Sequence, residues 1–256
     1  MAKGSYLQKY KEKEGIEYVK PVREKVNITE EQRRTFEEGR VLLIDKPLHW
    51  TSFDAVRKIR NSIGIKKVGH AGTLDPLATG LLIICTGKFT KKINEMMIKE
   101  KTYTGTITIG ATTPTYDKES DPENHSEFSN VTEELIENAT KEFTGLILQK
   151  PPIYSAIKKN GTALYELARR GDDVDPEARE VTIHEFHITQ ISLPDIHFLI
   201  KCSTGTYIRS IAHDLGKALG CGGYLSELRR TAIGEYTVED ALSIDAFMET
   251  LQDQKG

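Results

Sequence analysis

Between Lys101 and Gly110 the sequence KTYTGTITIG alternates without a break. Tyr103, Gly105, Ile107 and Ile109 fall on one parity and Thr102, Thr104, Thr106 and Thr108 on the other. A period of two over this length is the pattern of a β-strand with one apolar face and one hydroxyl-bearing face. Any fold open to the chain therefore contains a sheet, and the question is what joins it.

VLLID at 41–45, VTIHEFHITQISL, IHFLIKCS and YLSELRRTAIGEY read as further strands. Helical periods recur between them. NITEEQRRTFEEGR carries a Thr29/Gln32 capping box and stops at Gly39. TSFDAVRKIRNSIG is expected to start with Ser52 as N-cap and to bury Phe53, Val56, Ile59 and Ile63. VTEELIENATKEF is a third helix, and TYIRSIAHDLGKALG a fourth that ends at Gly220. Strands and helices mix without a steady βαβ rhythm, so an α+β fold on a largely antiparallel sheet is expected.

Other stretches read as connections. Residues 1–27 form a flexible polar leader, and ATTPTYDKESDPENHSEFSN, rich in turn formers and acid, a surface loop. Beyond Pro151-Pro152 come a short strand YSAIKK, an Asn160-Gly161 turn, a basic helix ALYELARRG and the acidic DDVDPEARE, together a mobile excursion from the core.

Several function classes drop out. The longest apolar run, LLIIC at 81–85, is far too short to span a bilayer, and the amino terminus has no signal-peptide core, so no membrane role is expected. Three scattered cysteines, Cys85, Cys202 and Cys221, support neither a disulfide framework nor a zinc ribbon and fit a reducing cytoplasm. The chain lacks a phosphate-cradling Gly-x-x-x-x-Gly-Lys-Ser/Thr loop, a Gly-x-Ser-x-Gly elbow and a His-Glu-x-x-His helix. His184 and His187, on opposite sides of a strand, make no metal site. The formal net charge is -3, but it is unevenly spread: residues 46–101 hold eleven Lys/Arg against four Asp/Glu, and residues 112–142 two against nine. A face that holds phosphates and two ordinary solvated surfaces both fit this split.

One carboxylate stands out. In GHAGTLDPLATGLLIIC, Gly69 to Cys85, Asp75 sits between Leu74 and Pro76 just before the apolar run. Pro76 pushes it away from helical dihedrals, and Gly69, Gly72 and Gly80 allow a ligand close approach. Such a residue is a nucleophile or base, or it closes an Asx turn on its own backbone; the residues alone leave both open.

GHAGTLDPLATG resembles the catalytic motif of the tRNA pseudouridine synthases of the B type, which isomerise the T-loop uridine at tRNA position 55. The resemblance extends to LLIDKPLHWTSFDAV, KTYTGTITIG, KPPIYSAIKKNGTALYELARRG, CSTGTYIRSIAHDLG and YLSELRRTAIG, in the same order over about 190 residues. It implies a pseudouridine-synthase-like catalytic domain over 28–256, with a central, largely antiparallel mixed sheet, flanking helices and a thumb-like insertion at about 150–180. Family members commonly add a small RNA-binding domain; only 22 residues follow Gly234, so none of the PUA type is expected.

The resemblance also assigns roles. Asp75 matches the essential aspartate, nucleophile or base at the ribose; Tyr103 the tyrosine that packs on the target base; and Arg209 the arginine paired with the aspartate. Tyr207 and Leu228 match residues lining the pocket, Lys46 a lysine supporting the motif, and His70 a histidine of T-loop recognition. Lys158, with Lys159, Arg169 and Arg170, falls in the stretch resembling the thumb. No cofactor or metal is implied. The partner is tRNA through its T arm, with no obligate protein partner; the competing reading is a tRNA-binding folding helper with little or no catalysis.

Overall fold

The structure is a computed structural model that describes residues 26–159 and 161–253. The leader expected over 1–27 lies outside the described residues except for its last two, and so does Asn160 of the expected turn.

Helix α1, Glu30–Glu38, precedes β1, Val41–Lys46, and α2, Ser52–Ile63. Strands β2, Val68–Ala71, and β3, Ala78–Thr86, lead through a 3-10 turn, Gly87–Lys92, to the short α3, Ile93–Met97. Then come β4, Lys101–Ile109; α4, Glu133–Glu142; and β5, Gly145–Gln149. Two-residue strands β6, Lys158–Lys159, and β7, Thr162–Ala163, pair ahead of α5, Leu164–Arg170. The chain continues with β8, Arg179–Ser192; β9, Asp195–Cys202; α6, Ile208–Ala218; and β10, Gly223–Ile233. It closes with β11, Tyr236–Thr237; β12, Leu242–Ser243; and α7, Ile244–Asp253.

The described residues fall into two compact units. The first takes in those up to Tyr103 and from Leu228 onward; the second is Thr104–Glu227. In the first, the strand order is β12-β1-β3-β10-β4, with β2 on β3 and β11 on β10. β1 runs antiparallel to β3, whereas β10 runs parallel to it. β3 is buried on both faces. Leu82 and Ile84 pack with Ile44, with Val56, Ile59 and Ile63 of α2, and with Phe247 and Leu251 of α7. Leu81, Ile83 and Cys85 pack with Met96, Ile233 and Val238. That double burial is why 81–85 is apolar without alternation. Each large side chain buried there contributes about 1.5–3 kcal/mol.

In the second unit the order is β10-β4-β9-β8-β5. β8 is antiparallel to both β5 and β9. Along β9, Ile196, Phe198, Ile200 and Cys202 are buried in strict alternation. A bulge between Ile183 and Glu185 shifts the phase of β8, so that Phe186 follows Ile183 into the interior. α4 packs on β8 and α6. The result is an α+β fold on a mixed, largely antiparallel sheet, as expected.

Local differences from the sequence reading have clear causes. α1 has its Thr29/Gln32 capping box. α2, however, is capped by Thr51, which accepts from the Asp54 amide at 3.0 Å while Asp54 accepts from the Thr51 amide at 3.1 Å. That frees Ser52 to turn inward. Phe53, one position on, is 58% exposed and lies under the Arg57 guanidinium instead of in the core. YSAIKK contributes only the two residues of β6. The acidic connection after β4 is not wholly superficial either: Thr113, Thr115, Asp117 and Ser120 are buried.

Candidate active site

Asp75 lies half-buried in the connection between β2 and β3. Its carbonyl accepts from the Ala78 amide at 3.1 Å, closing a turn through Pro76 and Leu77 into β3. The preceding residue is held from α2: the Ser52 hydroxyl accepts from the Leu74 amide at 2.9 Å and donates to the Leu74 carbonyl at 3.2 Å. The following residue is held by the His49 amide, which donates to the Pro76 carbonyl at 2.8 Å; His49 itself has φ 67, a conformation uncommon outside glycine.

Arg230 supplies the third fastening. It is 1% exposed, and its guanidinium donates to the carbonyls of Leu81 at 2.8 Å, Gly72 at 3.2 Å and Thr73 at 3.4 Å. β10 reaches this position because Gly80 of β3, at φ 101, has no side chain; a Cβ there would strike the Arg230 main chain.

Four other expected site residues belong to this unit. Lys46 ends β1 fully buried, donating to the carbonyls of Pro47 at 2.9 Å and Trp50 at 2.7 Å, so it shapes the turn that carries His49. Leu228 is half-buried on β10, in register with Ala78. Tyr103 is buried on β4, next to Thr102, whose carbonyl accepts from Thr231 of β10. His70 sits half-buried in β2 opposite Ile84. Burial, and then the Arg230 charge, hold the His70 ring below its ordinary pKa, which favours the neutral form.

The remaining three belong to the second unit. Tyr207 caps α6; the buried Gln149 side chain accepts from its amide at 2.8 Å and donates to its carbonyl at 3.1 Å. The Arg179 guanidinium lies over the Tyr207 ring, 5.1 Å from its centroid. Arg209, in the first turn of α6, is buried; it donates to the carbonyls of Thr115 at 3.2 Å and Tyr154 at 3.1 Å and stands 3.6 Å from the Asp117 carboxylate. Asp117 is buried too, and accepts from Thr115 Oγ1 at 2.7 Å and from the Glu119 amide at 2.9 Å. Beside it, Tyr116 stacks on His213 with ring centroids 3.9 Å apart. Lys158 is exposed on β6.

Arg230, Gln149 and Asp117 were not among the residues singled out in the sequence, and Ser52 was singled out only as a helix cap. Arg230 left one signal, since two residues after Leu228 it must share that residue's face of the strand. Asp117 left none, being one of nine acidic residues between 112 and 142.

Comparison with known proteins places this arrangement. The family profile described as TruB family pseudouridylate synthase (N terminal domain) matches residues 60–208, and the tRNA pseudouridylate synthase B C-terminal domain matches 209–255. The protein named tRNA pseudouridine synthase B from Flavobacterium johnsoniae is 56% identical over 222 residues, 84% of this chain and 97% of that protein. Its namesake from Phocaeicola vulgatus is 47% identical over 226 residues, 86% and 96% of the two chains. Among solved structures, a chain of a Cbf5-Nop10-Gar1 complex matches with TM-score 0.66 at 28% identity, over 88% of this chain and 59% of that one. A chain of an H/ACA RNP bound to a substrate RNA containing 2'-deoxyuridine matches with TM-score 0.64 at 25% identity, over 87% and 57%. The chain thus spans less than two thirds of those two.

Proposed function

The chain belongs to the TruB family of pseudouridylate synthases, and we propose that it converts the T-loop uridine at position 55 of tRNA to pseudouridine. The observation that carries this reading is Asp75: a carboxylate in the family's motif, on a loop fastened on both sides, in a chain 56% identical to a tRNA pseudouridine synthase B. A tRNA-binding folding helper without catalysis is not favoured, because the similar proteins carry the synthase name.

The reaction keeps every atom of the nucleotide. The bond from ribose C1' to uracil N1 breaks, the base turns, C1' bonds to C5, and the proton on C5 leaves as N1 regains one. Electrons balance without an acceptor. A uridine inside a folded loop must first leave its stack, at a cost of about a few kcal/mol. His70, half-buried and with its pKa lowered by burial, is the group proposed to occupy space among the T-loop bases, and Tyr103 the ring against the extruded uracil. Asp75 is proposed to act at the ribose with Leu228 lining its own unit's side of the site, and Arg209 and Tyr207 are proposed site residues through the resemblance of their stretch, CSTGTYIRSIAHDLG, to the family. Exposed lysines 66, 67, 88, 91 and 92, together with Lys158, are proposed to hold phosphates.

Among the described residues no helix is long and apolar enough to cross a membrane. We take the site of action to be the cytoplasm and the protein to act without an obligate partner.

The test is a map of pseudouridine in a tRNA transcript after incubation with the protein, by carbodiimide adduct formation and primer extension. A single new stop reporting position 55, absent from a transcript with cytidine there, is expected. Pseudouridine elsewhere with position 55 untouched would overturn the assignment.

A further inference from the structure

We propose that Ser52 and Arg230 are positioning residues for Asp75: a hydroxyl and a guanidinium, both buried, that grip the main chain around the aspartate so that its carboxylate meets the ribose in one fixed direction. The proposal rests on the reading of Asp75 as the catalytic group.

The contacts have a common pattern. Neither side chain reaches out to solvent, and each is committed to main-chain atoms of the same loop. Ser52 binds both polar atoms of Leu74, the residue before the aspartate. Arg230 binds the carbonyls two and three residues before it, Thr73 and Gly72, and that of Leu81 six residues after it. Burying a guanidinium is costly when its partners are neutral carbonyls, and an apolar side chain would fill the same space at lower cost. What arginine adds is a rigid fork that donates in several directions at once. The fork spans both ends of the loop, so the two ends are set relative to each other. A small misplacement of a reacting group is expensive in rate, so such a fork acts on catalysis more than on folding. After burial, its charge is the second cause that lowers the His70 pKa.

The experiment compares wild type with Ser52→Ala, Arg230→Gln, Arg230→Lys and the double variant Ser52→Ala/Arg230→Gln. It uses the full chain and tRNA, with tritium release from C5, RNA affinity and thermal melting measured on each. Each of Ser52→Ala and Arg230→Gln is expected to lower kcat about 10- to 100-fold with RNA affinity within about twofold. Arg230→Lys keeps the charge without the fork and recovers part of that loss. The double variant is expected to be no slower than about the worse single one, because both side chains act through one loop. In an NMR titration the His70 pKa should rise toward its ordinary value in Arg230→Gln and stay put in Ser52→Ala.

Folded variants with wild-type kcat overturn the proposal, and so do variants whose kcat loss tracks their loss of RNA binding and thermal stability. Multiplicative losses in the double variant also overturn it. If the wild type releases no tritium, the reading of Asp75 fails first, which separates the two failures.

Discussion

The loop around Asp75 and the segment between Gln149 and Arg179 are held in opposite ways. Around Asp75 buried groups hold the main chain itself: Ser52 on Leu74 and Arg230 on Gly72, Thr73 and Leu81, with the His49 amide on Pro76. Beyond Ser155 the other segment has two-residue strands, a seven-residue helix that buries Leu164 alone, and side-chain ion pairs: Arg170 with Asp172, Arg169 with Glu119, and Asp175 back to Lys150. Such pairs are worth about 0–1 kcal/mol and weaken with salt. The difference follows from the work proposed for each region. A group that attacks one atom needs a fixed main chain, whereas a segment that closes on RNA needs contacts it can exchange.

The base of the second region is a sharper case, because Tyr154 and Lys150 are tied to α6 through Arg209 and Ser210. Arg209→Ala strips a cation from the buried Asp117 carboxylate and should destabilise by about 3–5 kcal/mol, read by urea unfolding. A loss under about 1 kcal/mol would erase the distinction between an anchored base and a loose tip. Gly80→Ala forces a side chain at φ 101 against the Arg230 main chain, and should cost at least about 1–3 kcal/mol in the same assay. Full stability would show that the Asp75 loop is less tightly built than described.

Lys158→Ala/Lys159→Ala tests the exposed region. Weaker tRNA binding by several-fold, unchanged kcat at saturating RNA and a salt slope lower by about 1–2 are expected. A kcat loss with unchanged affinity would give the hairpin a catalytic part it is not assigned.

His70 links the tight region to pH. Its pKa is lowered by burial and by Arg230, so above its ordinary value of 6.5 both folded and unfolded chains carry it neutral and it adds nothing. As pH falls through that value the unfolded chain takes up a proton that the folded loop resists, and stability drops. Between about pH 7.5 and pH 5.5, His70→Gln should lose less stability than wild type. The smallest effect belongs to Phe53→Ala, within about 0.5 kcal/mol, since the ring is exposed.

Phe53 also shows where sequence reading stops. Periodicity placed α2 correctly, and Val56, Ile59 and Ile63 are buried, but the edge of a helical stripe depends on what packs beside it. The Thr29/Gln32 box was legible because both partners lie within one turn. Thr51 and Ser52 were not separable by type; Asp54, three residues after Thr51, was the clue to which one caps. Asp75 stood out in the sequence through Pro76, the neighbouring glycines and the family motif, and its catalytic role is proposed on that basis. Its supports were not: Arg230 lies 155 positions away in sequence and Ser52 on a separate helix, so no local pattern ties them to it. Asp117 was hidden similarly, in a stretch whose acidity reads as surface until Arg209 is brought to it by the fold.

The most direct test of the central claim is tritium release from tRNA labelled at C5 of its uridines, comparing wild type with Asp75→Asn, a change that keeps the shape of the side chain and the loop's main-chain bonds. Release by wild type, none above background from Asp75→Asn, and equal tRNA affinity for both is the predicted result. Release by Asp75→Asn at the wild-type rate would contradict it and move the chemistry to another residue.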